Sequence, residues 1–192
     1  MSYISLSGNI AVGKSTALQG LKDLGYNVVF ENLGPEFLGL LAAYNINPYN
    51  AIHLQSYIND YRLTDAEDST NSPDLFIHER SMIDDMVFTT YMIAKGEITE
   101  AAGVRFLDLA TERLIANPPK KVIYLYSDPE TTYSRLVSRG RSQESEQTLL
   151  SIAELEQAHL TLLPIICEEL GIELVELEWS NFGNIQRVVN LI

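Results

Sequence analysis

Apolar and polar positions follow two rhythms along this chain. Short runs rich in β-branched, aromatic and aliphatic residues read as strands at 3–6, 27–30, 74–78, 121–126 and 172–177. Between them apolar residues recur every three or four positions, the period of a helix with one buried face. The segment 15–24 is such a helix, stopped by Gly25. Phe37, Leu38, Leu40, Leu41 and Tyr44 mark a second, and Leu54, Tyr57, Ile58 and Tyr61 a third. The polar segment 68–73 is rich in turn formers and reads as a loop before the third strand. Helices at 82–94 and 99–116 follow, and Asn117-Pro118-Pro119 ends the latter. Asp128-Pro129-Glu130 is a helix start, because aspartate caps free N–H groups and proline's fixed φ suits the first turn. A long helix at 147–170 contains Pro164, which should kink it, and ends at Gly171.

Alternating strands and helices predict an α/β fold: a five-stranded parallel sheet covered by helices on both faces, in one domain over 1–192. Ligands on such sheets bind beyond the carboxyl ends of the strands. The residues at those ends are therefore the first candidates for chemistry.

Composition narrows the partners. A chain of 192 residues that is 46% hydrophobic can bury one full core. Its net charge of −13 repels polymeric nucleic acid and anionic membrane, though not a small nucleotide. The single cysteine, Cys167, lies in an apolar run and reads as a core thiol; no internal disulfide can form, which fits a reducing compartment. No stretch reads as the run of about 20 apolar residues that a membrane helix needs, and the N-terminus lacks a signal-like pattern. Cytoplasmic localisation is the expectation. His53, His78 and His159 are isolated from each other and from the cysteine, so they read as structural, with no zinc site. Trp179 reads as a packing residue.

The strongest chemical signal follows the first strand. Gly8-Asn9-Ile10-Ala11-Val12-Gly13-Lys14-Ser15 matches G-x-x-x-x-G-K-[ST]. Backbone N–H groups must wrap a phosphate there, which requires glycine at the bends, and the next helix directs its positive end at the same anion. Lys14 would reach the β- and γ-phosphates, and Ser15 would ligate magnesium. Three further acids and bases end neighbouring strands. Glu31 is a candidate base for an acceptor hydroxyl, Glu79 a candidate for magnesium, and Arg80 a candidate cation for the transferring phosphoryl group. Arg135, Arg139 and Arg141 form the densest basic cluster, three of thirteen Lys and Arg residues. The first two share a helix face, where like charges repel unless a polyphosphate bridges them, so the stretch 135–146 reads as a phosphate-gripping lid with Gly140 as its flexible point. Three functions stay open on these residues: a nucleoside kinase, a nucleoside monophosphate kinase and a nucleotide-binding regulatory module. A monophosphate acceptor would need extra cations, and 31–90 holds only Arg62 and Arg80.

Three motifs in order carry a resemblance over about 3–182: Gly8 to Thr16, Glu79-Arg80-Ser81, and Arg135 through Glu144. Together they resemble the deoxyribonucleoside kinase family. The resemblance implies a magnesium-dependent transfer of the γ-phosphoryl of ATP to the 5′-hydroxyl of a deoxynucleoside. By it, Lys14, Glu31 and Arg80 would be catalytic, with Ser15 and Glu79 at the metal. Gly8, Asn9, Ala11, Val12, Gly13, Lys14, Ser15 and Thr16 would hold donor phosphates together with Arg139 and Arg141. Arg135, Asn181 and Phe182 would lie at the donor base. Tyr44 and Glu144 would take the sugar 3′-hydroxyl, while Gln55, Arg62 and Asp85 read the acceptor base and Phe88 stacks on it. In the family an Arg–Asp pair goes with purine or deoxycytidine acceptors. The chain departs from the pattern after the acid, where Asn32 replaces the usual proline. A homodimer through helices between 82 and 116, and a bacterial or phage type, are further implications of the resemblance.

Overall fold

A computed structural model describes residues 3–32, 34–141, 147–181 and 184–192. Five strands, β1 (Ile4–Gly8), β2 (Asn27–Val29), β3 (Phe76–Glu79), β4 (Lys121–Tyr126) and β5 (Glu173–Glu178), form one sheet in the order β2-β3-β1-β4-β5. Every pairing is parallel, as expected, with Leu6 opposite Glu79 and Gly8 opposite Leu125. The helices are α1 (Lys14–Asp23), α2 (Gly34–Ile46), α3 (Ala51–Asn71), α4 (Met82–Ala94), α5 (Glu100–Ala116), α6 (Pro129–Arg139), α7 (Leu149–Leu170) and a short α8 (Gln186–Val189).

Successive strand residues point to opposite faces, and this builds two cores. Ile4, Leu6, Ile123 and Leu125 meet Ala17, Leu18 and Leu21 of α1 and Val188 of α8 on one face. Tyr3, Val122 and Tyr124 meet Ala66, Met82, Ile83, Val87, Leu114, Leu163 and Cys167 on the other. A smaller cluster of Ala51, Met92 and Ile98, with Tyr44 packed on it, lies farther out among α2 to α5. Each fully buried aliphatic side chain stabilises the fold by about 1.5–3 kcal/mol. Trp179 and Cys167 are both core residues. Burial pushes the Cys167 thiol up to about 11.

Local caps explain several boundaries. Asp128 accepts from the Thr131 N–H at 2.7 Å, with Pro129 in the first turn of α6. Thr148 and Ser151 cap α7 reciprocally, at 3.1 and 2.8 Å. Gly140 and Gly171 end α6 and α7 in the left-handed region, at φ 61° and 65°.

Three expectations need correction. The segment 68–73 is largely helical, because α3 continues through Asn71. Its polar run conceals an inward face: Ala66 and Ser69 are buried, and the Ser69 hydroxyl lies 2.7 Å from His78 Nε2. The third strand accordingly begins at Phe76, not at 74. Finally, α7 is by length and composition apolar enough to cross a membrane. It instead lies against the sheet, with Ile152, Leu155, Leu163 and Cys167 buried and Glu156 buried among polar partners. Core cover accounts for part of its apolarity, while Leu150, Leu160 and Ile165 are exposed.

Candidate active site

All the strand-end candidates converge at the carboxyl edge of the sheet. Gly8 closes β1 at φ 147°, and a Cβ there would sit 2.6 Å from the Leu125 carbonyl oxygen, so no other residue fits. Ala11 and Gly13 also have positive φ, 61° and 113°. Left-handed residues interspersed this way let successive N–H groups converge on an anion. Lys14 is buried, and its ammonium donates to the Gly8 and Asn9 carbonyls at 2.9 and 2.7 Å. Burial, then the neighbouring Arg80 guanidinium, lowers it to about 7.

A cavity of about 410 Å³ opens over this loop. It is lined by Ala11, Gly13, Lys14, Ser15 and Thr16 of the loop and α1, by Arg135, Ser138, Arg139 and Arg141 at and beyond α6, and by Glu79. The loop and the arginine-bearing helix therefore enclose one space, as the sequence led one to expect. Arg135 does more than line it. Its guanidinium donates to the carbonyls of Val12 at 2.8 Å, Trp179 at 3.2 Å and Ser180 at 2.5 Å, tying the phosphate loop to the exit of β5. Asn181, exposed, follows on that exit; Phe182 and Glu144 lie outside the described residues.

Two loop residues do not present side chains to the cavity. Val12 is core, and Asn9 is fully buried. The Asn9 amide donates to the Ile152 carbonyl and to Glu156 Oε2, both at 2.9 Å, while its Oδ1 accepts from the Ile10 N–H at 2.8 Å. Glu156 also accepts from the Tyr124 hydroxyl at 2.6 Å, and burial raises its carboxyl. Through Asn9, α7 grips the phosphate loop from behind. Glu156 was not legible as a site residue, since it reads as one acid on a long helix.

Ser15 and Glu79 are coupled: the hydroxyl donates to Glu79 Oε1 at 2.6 Å. A hydroxyl and a carboxylate are hard oxygen donors, suited to magnesium whose other ligands are phosphates and water. Among the described residues no three of His, Cys, Asp and Glu cluster as a metal site; Ser15 and Glu79 would be the protein oxygens nearest such an ion.

The acidic half lies on the other side of Lys14. Glu31 accepts from Arg80 Nη1 at 3.0 Å and forms a short ion pair with Arg62. Burial would raise its carboxyl, but Arg80, Arg62 and Lys14 outweigh that and hold it near about 2. Arg80 is held in the left-handed region, φ 70°, by its N–H bond to the Leu6 carbonyl at 3.0 Å. A non-glycine residue there costs on the order of 1–3 kcal/mol, and such strain clusters at functional sites. The conformation lets the guanidinium reach Glu31 and the Gly8 carbonyl, 3.3 Å away, and it covers the Phe88 ring at 5.1 Å. The edge of Phe88 meets His159, which is buried and lowered by that burial to about 4.

The predicted Arg62–Asp85 pair is present, and Arg62 bridges Asp85 to Glu31. Gln55, Arg62 and Asp85 are all buried, so Gln55 and Arg62 are not a solvated helix face. Gln55 Nε2 is 3.6 Å from Met92 Sδ, and its Oε1 has no hydrogen-bond partner among the described residues. Tyr44 donates at 2.8 Å to Glu97, a partner the sequence did not indicate because it sits in the turn after α4.

Comparisons with known proteins agree with this geometry. Residues 4–190 match the family described as deoxynucleoside kinase. A deoxyguanosine kinase of Dictyostelium discoideum is 28% identical over 195 residues, covering 97% of this chain and 67% of its own. A probable deoxycytidine kinase of Fowlpox virus is 30% identical over 158 residues, covering 74% of this chain and 63% of its own. The chain thus spans about two thirds of the length of these relatives. Deoxyadenosine kinase from M. mycoides, solved with bound dCTP, superposes with a TM-score of 0.82 at 19% identity over 98% of this chain and 97% of the other, which shows a shared fold. A phosphate loop, an arginine wall and an acid–arginine cluster on one sheet edge, in a chain matched from residue 4 to 190, place this protein in the deoxynucleoside kinase family.

Proposed function

We propose that this protein transfers the γ-phosphoryl group of ATP to the 5′-hydroxyl of a deoxynucleoside. The observation that carries the reading is an ionised, arginine-held carboxylate, Glu31, beside the buried Lys14 of a phosphate loop. Glu31 accepts the proton of the 5′-hydroxyl. Arg80, already between Glu31 and the Gly8 carbonyl, steadies the charge on the phosphoryl group in flight. Lys14 and the loop N–H groups hold the donor phosphates, and Arg139 and Arg141, which line the same cavity, close over them. Ser15 and Glu79 would hold magnesium, which would offset charge on the donor phosphates. Closing the cavity excludes water, which would otherwise take the phosphoryl group.

The acceptor is a purine deoxynucleoside or deoxycytidine. Arg62 and Asp85 offer donors and a carboxylate to a base edge, and Gln55 has a buried carbonyl oxygen without a partner among the described residues. Tyr44 stands for the sugar hydroxyl. A monophosphate acceptor fits less well, because it would need further cations, and Arg62 and Arg80, the only Lys or Arg in 31–90, are already assigned to the base and to the transferring phosphoryl group. A panel of deoxynucleosides and their monophosphates, assayed with γ-labelled ATP, tests the reading. Label should appear in nucleoside 5′-monophosphate. Label in diphosphates only, or no acceptor-dependent turnover, overturns it.

A further inference from the structure

A chain of polar contacts runs away from the acceptor residues toward the surface. Asn59 on α3 is fully buried, one helical turn before Arg62. Its amide Nδ2 donates to Asp85 Oδ2 at 3.0 Å. Its Oδ1 accepts from Arg113 Nη1 of α5 at 2.6 Å. Arg113 is in turn held by Asp60 at 2.7 Å and is partly exposed. An amide offers a donor at one end and an acceptor at the other, and its two ends are close to the same shape. Arg113 removes that ambiguity, because a guanidinium only donates. With Oδ1 taken, the NH₂ must face Asp85.

Asp85 is therefore held on both oxygens: Oδ1 by Arg62 and Oδ2 by Asn59. A buried carboxylate supported from one side only could rotate about its terminal torsion, which is broad. Two donors on different oxygens fix its plane. Asp85 in turn sets where Arg62 sits, and Arg62 reaches Glu31.

We propose that Asn59, oriented by Arg113, is a positioning residue for acceptor recognition: it fixes the Asp85 carboxylate, and with it Arg62, against the nucleobase. This rests on the nucleoside kinase reading above. Neither Asn59 nor Arg113 touches the phosphate loop or lines the donor cavity. The effect should consequently fall on the acceptor and spare the donor.

Asn59→Leu separates positioning from mere structure, because it removes the donor facing Asp85 without setting a new charge against it, and Arg113 keeps Asp60. If Asn59 only anchors α5 to α3, this variant should lower Tm and leave both substrates' KM unchanged. If it positions Asp85, the acceptor KM should rise on the order of tenfold or more, the effect of losing a hydrogen bond to a charged group, with the ATP KM unchanged. Arg113→Met, at the exposed end of the chain, should give a smaller rise and add nothing in an Asn59→Leu background, since both act through one contact. It also serves if a change at Asn59 prevents folding. An Asn59→Leu or Arg113→Met enzyme with wild-type acceptor KM overturns the proposal, as does an equal change in both substrates' KM. If wild type phosphorylates no nucleoside, the kinase reading falls and this proposal with it. Nucleoside turnover by wild type with unaffected variants overturns the proposal alone.

Discussion

Replacing Glu31 with glutamine removes one charge from the centre of the acid–arginine cluster and leaves the shape. The carboxylate holds Arg62 on one oxygen and Arg80 on the other. An amide can accept only one of them and turns its NH₂ on the second. Each guanidinium keeps other acceptors: Asp85 for Arg62, and for Arg80 the Gly8 carbonyl at 3.3 Å with Asp84 at 3.9 Å. No cation is orphaned, so the stability cost should be about 1–3 kcal/mol, that of one unsatisfied polar contact. The catalytic cost should be larger. General bases contribute about 10²–10⁴ in rate, which is about 3–5 kcal/mol of barrier. Donor KM should stay within about threefold, while acceptor KM should rise modestly because Glu31 also holds Arg62. Steady-state kinetics with urea unfolding measures both quantities. A folded Gln variant turning over within about threefold of wild type refutes the assignment of Glu31 as the base.

The low carboxyl adds a second check to the same experiment. Held near about 2, Glu31 is ionised throughout any ordinary assay range. The acid side of the kcat/KM profile should therefore show no limb near the usual glutamate value of about 4.3 that belongs to this residue. A base this weak takes a proton only from a hydroxyl already acidified by bond formation to phosphorus. That fits transfer through a loose transition state, in which the proton moves late.

Three further predictions follow from the surrounding geometry. Lys14 sits near about 7 before phosphate binding, and a polyphosphate raises it, so triphosphate binding at pH 8 should take up a proton; calorimetry in buffers of differing ionisation enthalpy measures it, and zero uptake contradicts the lowered value. Gly8→Ala places a methyl 2.6 Å from a backbone oxygen at φ 147° and should cost about 1–3 kcal/mol or more while abolishing triphosphate binding, read by unfolding and by nucleotide titration. Cys167, buried and pushed up to about 11, should resist alkylation at pH 8 until denaturant is added; rapid labelling of folded protein would show the thiol to be accessible.

The two halves of the site were unequally legible, and the reason is physical. The donor half is built from backbone, and backbone needs leave marks in local sequence. Gly8 has to be glycine because a carbonyl crowds it, Lys14 has to follow the turn, and Arg135 and Arg139 share a face because a helix has its fixed period. Each constraint spans a few residues, so spacing reveals it. What spacing could not reveal is that Asn9 turns away to be gripped by Glu156, 147 positions later. Likewise the tail of α3 looked like a loop because its inward residues, Ser69 among them, are polar and answer to His78 of β3.

The acceptor half is built from charge pairs between elements distant in sequence, and each member looks ordinary by itself. Asn59 is one polar residue on a helix, and Arg113 is one cation near a helix end. Only the fold shows that they meet, and that they meet on Asp85. The same difference bears on selectivity. A phosphate loop recognises what every triphosphate shares, so its geometry can be common to a whole class of folds. A base edge is told apart by single hydrogen bonds, and a missing partner inside a buried site is costly enough to discriminate strongly. On the proposed reading, selectivity depends on how firmly Gln55, Arg62 and Asp85 are held, and this chain holds Asp85 from behind with a buried amide. Acceptor preference should accordingly respond to residues that never touch the nucleoside, whereas donor handling should not.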